Sequence, residues 1–220
     1  MVRIYDITCN QVALVTVQAA KRNMQVIAGF GNPINPVPNV YAIVSQAGSN
    51  LDVIDTIAIG NEYINENGAD AVPAVTAALA TARTALAGVF SGHIVTIDTF
   101  NALISNPALC AASDYCAANC HAFFDSSTDA AGAGGFVQSQ VANITAANPD
   151  KTVVITESGW AWADHSRNPN PKASEDQQVA AIASLKGVFS SNLFLFQGFD
   201  TLYKGDNYEG YFGMYSHDDM

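Results

Sequence analysis

The sequence predicts an α/β fold: a (β/α)8 barrel of the TIM type lacking its first β/α unit, organised as a single domain over residues 1–220. Three observations carry that expectation. Strand-like and helix-like runs alternate at roughly 30 residues per unit, the rhythm of successive βαβ connections. Several strand runs are almost continuously apolar, such as Val153-Val154-Ile155 and Leu193-Phe194-Leu195-Phe196, which suits parallel strands covered on both faces. Acidic residues recur at the ends of the runs, at Asp6, Glu62, Asp98, Glu157 and Asp200, and barrels assemble active sites from the C-terminal ends of their strands. A doubly wound open sheet shares the rhythm; the acidic rim favours the barrel.

Taken in order, strand patterns cover residues 2–6, 24–30, 56–62, 93–100, 120–124, 152–160 and 193–200. These are seven, where a closed barrel of this type has eight, and the shortfall is assigned to the N-terminus. Helical patterns lie between them. Residues 11–22 place Val12, Val15 and Ala19 at helical spacing, 71–90 is rich in alanine, and 136–147 is amphipathic. The run 174–189 opens with Ser174-Glu175-Asp176-Gln177, a capping-box pattern that satisfies the first free N–H groups of a helix. Residues 164–173 read as one long rim loop.

Of the 220 residues, 49% are hydrophobic and 13% charged, enough for a sizeable core and too apolar for a disordered chain. Acidic residues outnumber basic ones 20 to 9, for a net charge of −11. That sign repels nucleic-acid phosphates and anionic lipid and favours neutral ligands, such as sugars or peptides. No apolar run approaches the ~20 residues that span a bilayer. Cys9, Cys110, Cys116 and Cys120 show no Cys-x-x-Cys spacing, leaving two disulfides, one disulfide or four thiols open. His93, His121, His165 and His217 form no His-x-His or His-x-x-x-His pair, so no catalytic metal is expected. Gly29-Phe30-Gly31 runs into Asn32-Pro33 rather than a helix, which excludes a dinucleotide loop. Asn143-Ile144-Thr145 is a glycosylation sequon on a helical pattern.

Glu62 and Glu157 are the candidate catalytic pair. Each ends an apolar strand run, where an unpaired carboxylate is costly and must be paired or used. With nine basic residues in the chain, a salt bridge is the weaker explanation. The two lie about three β/α units apart, so both can face one barrel mouth. Two carboxylates about 5–5.5 Å apart support double displacement at an anomeric carbon, one attacking while the other protonates the leaving oxygen. Trp160 and Trp162 follow Glu157 closely. Aromatic faces stack on pyranose rings, with core packing as the competing role. His121 shares one face of the 120–124 strand pattern with Asn119 and Phe123, as a pocket or a core residue.

At these residues the chain resembles family 17 glycoside hydrolases, in particular the fungal cell-wall β-1,3-glucanase and glucanosyltransferase branch. The resemblance runs from Val2-Arg3-Ile4-Tyr5 to Tyr211-Phe212-Gly213. It is most specific at Gly60-Asn61-Glu62 and Thr156-Glu157-Ser158-Gly159-Trp160. Support comes from Asp98-Thr99, Asn119-Cys120-His121-Ala122-Phe123-Phe124, and Phe199-Asp200 followed by Lys204. It implies a retaining glycosidase that acts on cell-wall β-1,3-glucan by hydrolysis, transglycosylation or both, through a covalent glycosyl-enzyme. No metal and no cofactor are implied. By position, Glu62 is implied as general acid/base and Glu157 as nucleophile. Tyr5, Asn61, Asn119, His121, Phe123, Trp160, Phe199 and Lys204 match positions that line the glucan cleft, and Trp160 is expected to form a sugar platform. Tyr63, Trp162 and Tyr203 are candidates for an acceptor site. In a secreted relative Cys9 and Cys110 could bridge, with Cys120 a buried thiol. We expect a secreted monomer of the cell wall or extracellular space that binds β-glucan and neither nucleic acid nor membrane.

Three departures from the family pattern stand out. Ala161 stands where proline usually follows the Gly-Trp pair. Thr201 stands where an acidic residue usually follows Phe-Asp and would partner Lys204. The family's first strand and helix have no counterpart. The chain is therefore expected to begin at an internal methionine of a longer protein bearing a signal peptide, one more strand and one more helix. The strands at 2–6 and 193–200 are then expected to carry unpaired edges, with marginal stability. The competing function is a wall-associated glucan-binding protein without turnover.

Overall fold

Among the described residues seven strands join in chain order: β1 (Val2–Ile4), β2 (Val26–Phe30), β3 (Ile54–Asn61), β4 (His93–Thr99), β5 (Cys116–Asn119), β6 (Val153–Ser158) and β7 (Leu193–Leu195). The pairings of β1 with β2, β2 with β3, β3 with β4 and β6 with β7 are parallel. The helices are α1 (Gln11–Lys21), α2 (Val37–Ala47), α3 (Tyr63–Asn67), α4 (Val72–Leu86), α5 (Phe100–Ser105), α6 (Ala108–Ala112), α7 (Ala133–Ala147) and α8 (Glu175–Val188). This is the (β/α) barrel fold with seven of its eight strands. The computed structural model describes residues 1–168 and 170–215. Pro169 of the expected rim loop and His217 of the four histidines lie outside the described residues. Among the described residues no helix is long and apolar enough to cross a membrane.

The chain divides into two compact units, the first built on Met1–Ala118 with Ile144–Val154 and the second on Asn119–Asn143 with the chain from Ile155 onward. In the first unit β2 is buried along its whole length and β3 along most of it, as the continuous apolar runs require. Val12 and Ala19 of α1, Val40 and Ile43 of α2, and Leu79 and Leu86 of α4 pack against Val26, Ile57, Ile59 and Ile94 of the strands. The α2 helix carries Pro38 in its first turn, where the missing N–H costs nothing; read locally, the prolines at 33, 36 and 38 hide it. Arg83 of α4 ties α6 to β4, pairing with Asp114 at 2.7 Å and donating to the carbonyls of Ile94 (3.0 Å) and Ala112 (3.2 Å).

Two expectations are corrected here. The strand read at 120–124 lies four residues earlier, in β5, and Ala122–Phe124 form a 3-10 turn. The Cys-Ala-Ala-Asn stretch of β5 lacks β-branched residues and becomes a strand because it is wholly buried. The Cys9–Cys110 bridge does not form. Cys110 is bonded to Cys116, because α6 turns directly back into β5 and brings their Cα atoms to 4.8 Å. Cys9 is an exposed thiol, and Cys120 is buried, as expected. Burial pushes the Cys120 thiol up to about 12.

In the second unit Ser174 caps α8, its Oγ accepting from Gln177 N–H at 3.3 Å. The buried Gln178 amide donates to the carbonyls of Trp160 (2.9 Å) and Gly213 (3.2 Å). The irregular segment between β6 and α8 is held by Lys172. Its ammonium donates to the carbonyls of Phe123 (3.0 Å) and Asp125 (2.7 Å) and lies 4.7 Å from the Trp160 ring centroid. The Lys172 carbonyl accepts from the Trp160 indole at 2.7 Å. Partial burial pulls this ammonium below the ordinary lysine range, against the raising influence of Asp125 and Asp129.

Two outcomes follow from these contacts. A maleimide reagent is expected to label Cys9 alone in the native protein, Cys120 as well after unfolding, and Cys110 and Cys116 only after reduction; peptide mass spectrometry reads the sites. Lys172→Met keeps the aliphatic stem but leaves the carbonyls of the 122–125 turn without their donor. It is expected to cost about 1–3 kcal/mol in urea unfolding, and an unchanged midpoint would show that the ammonium is dispensable.

Candidate active site

In the first unit, β3 departs from regular geometry just before Glu62. Its register against β4 shifts between Ala58 and Asn61, and Gly60 sits at φ +87° with Pro33 packed where a side chain would begin. Such irregularities at strand ends re-aim the residues that follow. Asn61 takes a hydrogen bond from the Arg3 guanidinium at 2.6 Å, and that guanidinium lies 4.3 Å from the Tyr5 ring centroid. Glu62 itself has left-handed backbone angles (φ +52°, ψ +26°) and opens α3. Its N–H donates to the Ile97 carbonyl at 2.9 Å. Asp98, buried at the end of β4, accepts from the N–H groups of Ile64 (2.8 Å), Asn65 (3.2 Å) and Thr99 (2.9 Å). Burial lifts the Asp98 carboxyl above the ordinary aspartate range, and these three bonds hold it back.

In the second unit, Glu157 is buried near the end of β6. Its Oε2 lies 3.2 Å from Nε2 of His121. The imidazole is boxed by aromatic rings, with centroids 5.3 Å from Phe196 and 5.7 Å from Phe124 and Phe212. Nδ1 is buried and has no hydrogen-bond partner among the described residues. A hydrogen on Nδ1 would meet no acceptor, so the ring carries it on Nε2 and donates to the carboxylate. The register of β6 against β7 shifts between Ile155 and Ser158, and at Gly159 any side chain would collide with the Phe196 carbonyl.

The other expected residues divide by exposure. Tyr5, Phe199 and Lys204 are exposed, with Phe199 6.2 Å from Tyr215 and Lys204 closing a 3-10 turn. Thr201, found where an acidic partner for Lys204 is usual, instead receives the Gln197 amide at 3.2 Å. Asn119 is buried, accepting from the Thr156 hydroxyl at 3.0 Å. The platform expectation for Trp160 is corrected: its indole is completely buried between Phe123 and Lys172 and offers no face to solvent. The buried Phe123 backs it at 5.4 Å. Of the acceptor candidates, Tyr203 is 87% exposed and Tyr63 half-buried, while the Trp162 indole N–H is committed to Asp200 at 3.1 Å.

Arg3, Lys172, Phe196 and Phe212 escape sequence reading as site residues. Arg3 alone carried a signal, as a cation two residues from Tyr5 in a chain poor in cations. Lys172 looks like any loop lysine, and Phe196 and Phe212 like core residues. Among the described residues no group of three His, Cys, Asp or Glu side chains is placed to hold a metal ion.

The BtgE/BtgC glycoside hydrolase domain matches residues 1–213. Cell surface mannoprotein MP65 of Candida albicans is 36% identical over 98% of this chain and 58% of its own length. A probable family 17 glucosidase of Saccharomyces cerevisiae, SCW10, is 37% identical over 99% of this chain and 57% of its own. The chain thus spans a little over half the length of these curated relatives. A family 17 β-1,3-glucanosyltransferase from Rhizomucor miehei superposes with a TM-score of 0.81 at 20% identity, over 98% of this chain and 81% of that chain. An endo-laminarinase from Formosa does so at 0.75 and 15% identity, over 98% and 74%; both are likenesses of fold. With the match running through both glutamate motifs, the chain belongs to the BtgE/BtgC glycoside hydrolase domain family, in the fungal branch of the family 17 glycoside hydrolases.

Proposed function

We propose that this domain is a retaining glycosidase acting on β-1,3-glucan of the cell wall, by hydrolysis or transfer. The observation that carries the reading is the pair of glutamates, each set at the irregular end of a strand within a family of glycoside hydrolases. In the first step a Glu157 oxygen forms a bond to the anomeric carbon as the glycosidic C–O bond breaks, and the Glu62 carboxyl gives its proton to the departing oxygen. In the second, the Glu62 carboxylate takes a proton from water or a sugar hydroxyl, whose oxygen displaces Glu157 and restores both side chains. The Nε2–H of His121 directs the nucleophilic carboxylate. Chemistry by two carboxylates requires no metal or cofactor.

Asn61, His121, Tyr5, Phe199 and Lys204 are proposed to contact the glucan, with Asn119, Phe123 and Trp160 supporting the surface from behind. Tyr203 is the leading acceptor-site aromatic by exposure. A glucan ligand is supported by the Rhizomucor miehei enzyme, described as an active-site mutant in complex with laminaritriose. A wall or extracellular location is supported by a relative described as a cell surface mannoprotein.

Incubation with laminari-oligosaccharides tests the proposal: shorter products indicate hydrolysis, and products longer than the substrate indicate transfer. Glu157→Gln is expected to abolish trapping of a glycosyl-enzyme, since an amide is a poor nucleophile. Glu62→Ala is expected to lose about 10²–10⁴-fold on laminari-oligosaccharides and much less on an activated aryl glucoside. Azide should partly restore turnover of the aryl glucoside by replacing the activated water. Retention of insoluble β-1,3-glucan by the wild-type protein, with no product released, would instead establish a binding protein.

A further inference from the structure

We infer that Asp98 is the positioning residue for Glu62: its carboxylate grips the first turn of α3 and so fixes where the Glu62 carboxyl stands. The inference rests on the acid/base reading of Glu62 and adds to it the group that holds the acid in place.

Glu62 adopts left-handed backbone angles (φ +52°, ψ +26°) that residues with a side chain rarely adopt. Such a conformation persists only when its surroundings impose it. The helix it opens has five residues, too few to hold their own geometry. The imposition comes from β4, on both sides of Glu62. Before it, the Ile97 carbonyl takes the Glu62 N–H at 2.9 Å. Beyond it, the Asp98 carboxylate takes the N–H groups of Ile64 at 2.8 Å and Asn65 at 3.2 Å. The same carboxylate takes the Thr99 N–H at 2.9 Å, which orients it on its own strand. Every one of these donors is backbone, so what Asp98 controls through them is the path of the chain. Without it the first turn of α3 is released, the Glu62 peptide relaxes towards ordinary angles, and the acid moves away from the oxygen it must protonate. A displacement of about 1 Å is enough to cost on the order of 100-fold in rate.

A residue that merely stabilises the fold would depress kcat/KM for every substrate alike, whereas one that places the acid lowers kcat/KM, which reports the first step, only for substrates whose leaving group needs a proton. The experiment compares wild type, Asp98→Asn and Glu62→Ala on laminari-oligosaccharides and on a dinitrophenyl β-glucoside, whose leaving group departs without a proton. Asp98→Asn keeps the size of the side chain but turns an NH2 towards one of the N–H groups. It is expected to lose on the order of 100-fold in kcat/KM on the oligosaccharides while keeping most of its kcat/KM on the dinitrophenyl substrate. Backbone hydrogen exchange at Ile64 and Asn65 should accelerate with no change in the core of β2 and β3. Asp98→Ser, which keeps one acceptor, replaces Asp98→Asn should that variant not fold. Equal losses on both substrates, or exchange at Ile64 and Asn65 as slow as in wild type, would overturn the inference. A Glu62→Ala variant that discriminates no leaving group would instead sink the acid/base reading, while the exchange rates would still decide whether Asp98 grips α3.

Discussion

A carboxylate drawn into a protein needs hydrogen-bond donors, and this chain has few cationic side chains to supply them, nine against twenty acids. Its backbone supplies them instead. Asp98 takes three N–H groups, and the half-buried Asp164 those of Ser166 and Asn170. Asp200 takes the Gly213 N–H and the Trp162 indole. A bond from N–H to a charged carboxylate contributes about 1.5–3 kcal/mol, more than one between neutral groups. It also constrains the chain that carries the donor. The acids near the strand ends therefore act as fasteners for the loops that follow, and the surplus of negative charge becomes a means of shaping the rim.

Two of the few cations are placed where backbone N–H groups cannot serve, against carbonyls. Arg83 draws together carbonyls at the end of α6 and the start of β4 while pairing with Asp114. Lys172 directs its ammonium into carbonyls of the turn that carries His121 and Phe123, and that ammonium and the lysine's own carbonyl close over Trp160. Through that turn the lysine bears on the imidazole beside Glu157, although it touches neither. The aromatic box around His121 completes the arrangement: Nδ1 finds no partner among the described residues, and Nε2 is left to donate.

Both glutamate strands end in the same kind of irregularity, a slipped register next to a glycine that a side chain would strain, Gly60 by its positive φ and Gly159 by collision with the Phe196 carbonyl. A regular strand alternates its side chains between faces; a slip is what permits successive polar residues to be aimed as chemistry requires. The terminal strands of the sheet, β1 and β7, have three residues each. Their brevity limits the backbone offered for pairing with another chain.

The sequence by itself determined the β/α rhythm, the largely buried strands β2, β3, β4 and β6, the Ser174 cap and the strand-end place of both glutamates, because each of these is written in local pattern: apolar runs, helical spacing, and an acid at the end of a strand; the apolar run of β7 is only half-buried. Tertiary structure decided the rest. The strand at Cys116–Asn119 exists through burial and not through propensity, so the aromatic residues after it were mistaken for it. Cys110 found Cys116 because a helix doubles back, which spacing alone left open. Trp160, read as a surface for sugar, was claimed by the core through a lysine twelve residues away. Asp98 and Lys172 show the common reason: each acts through backbone groups distant in sequence, and no pattern of side chains records where a distant N–H or carbonyl will arrive.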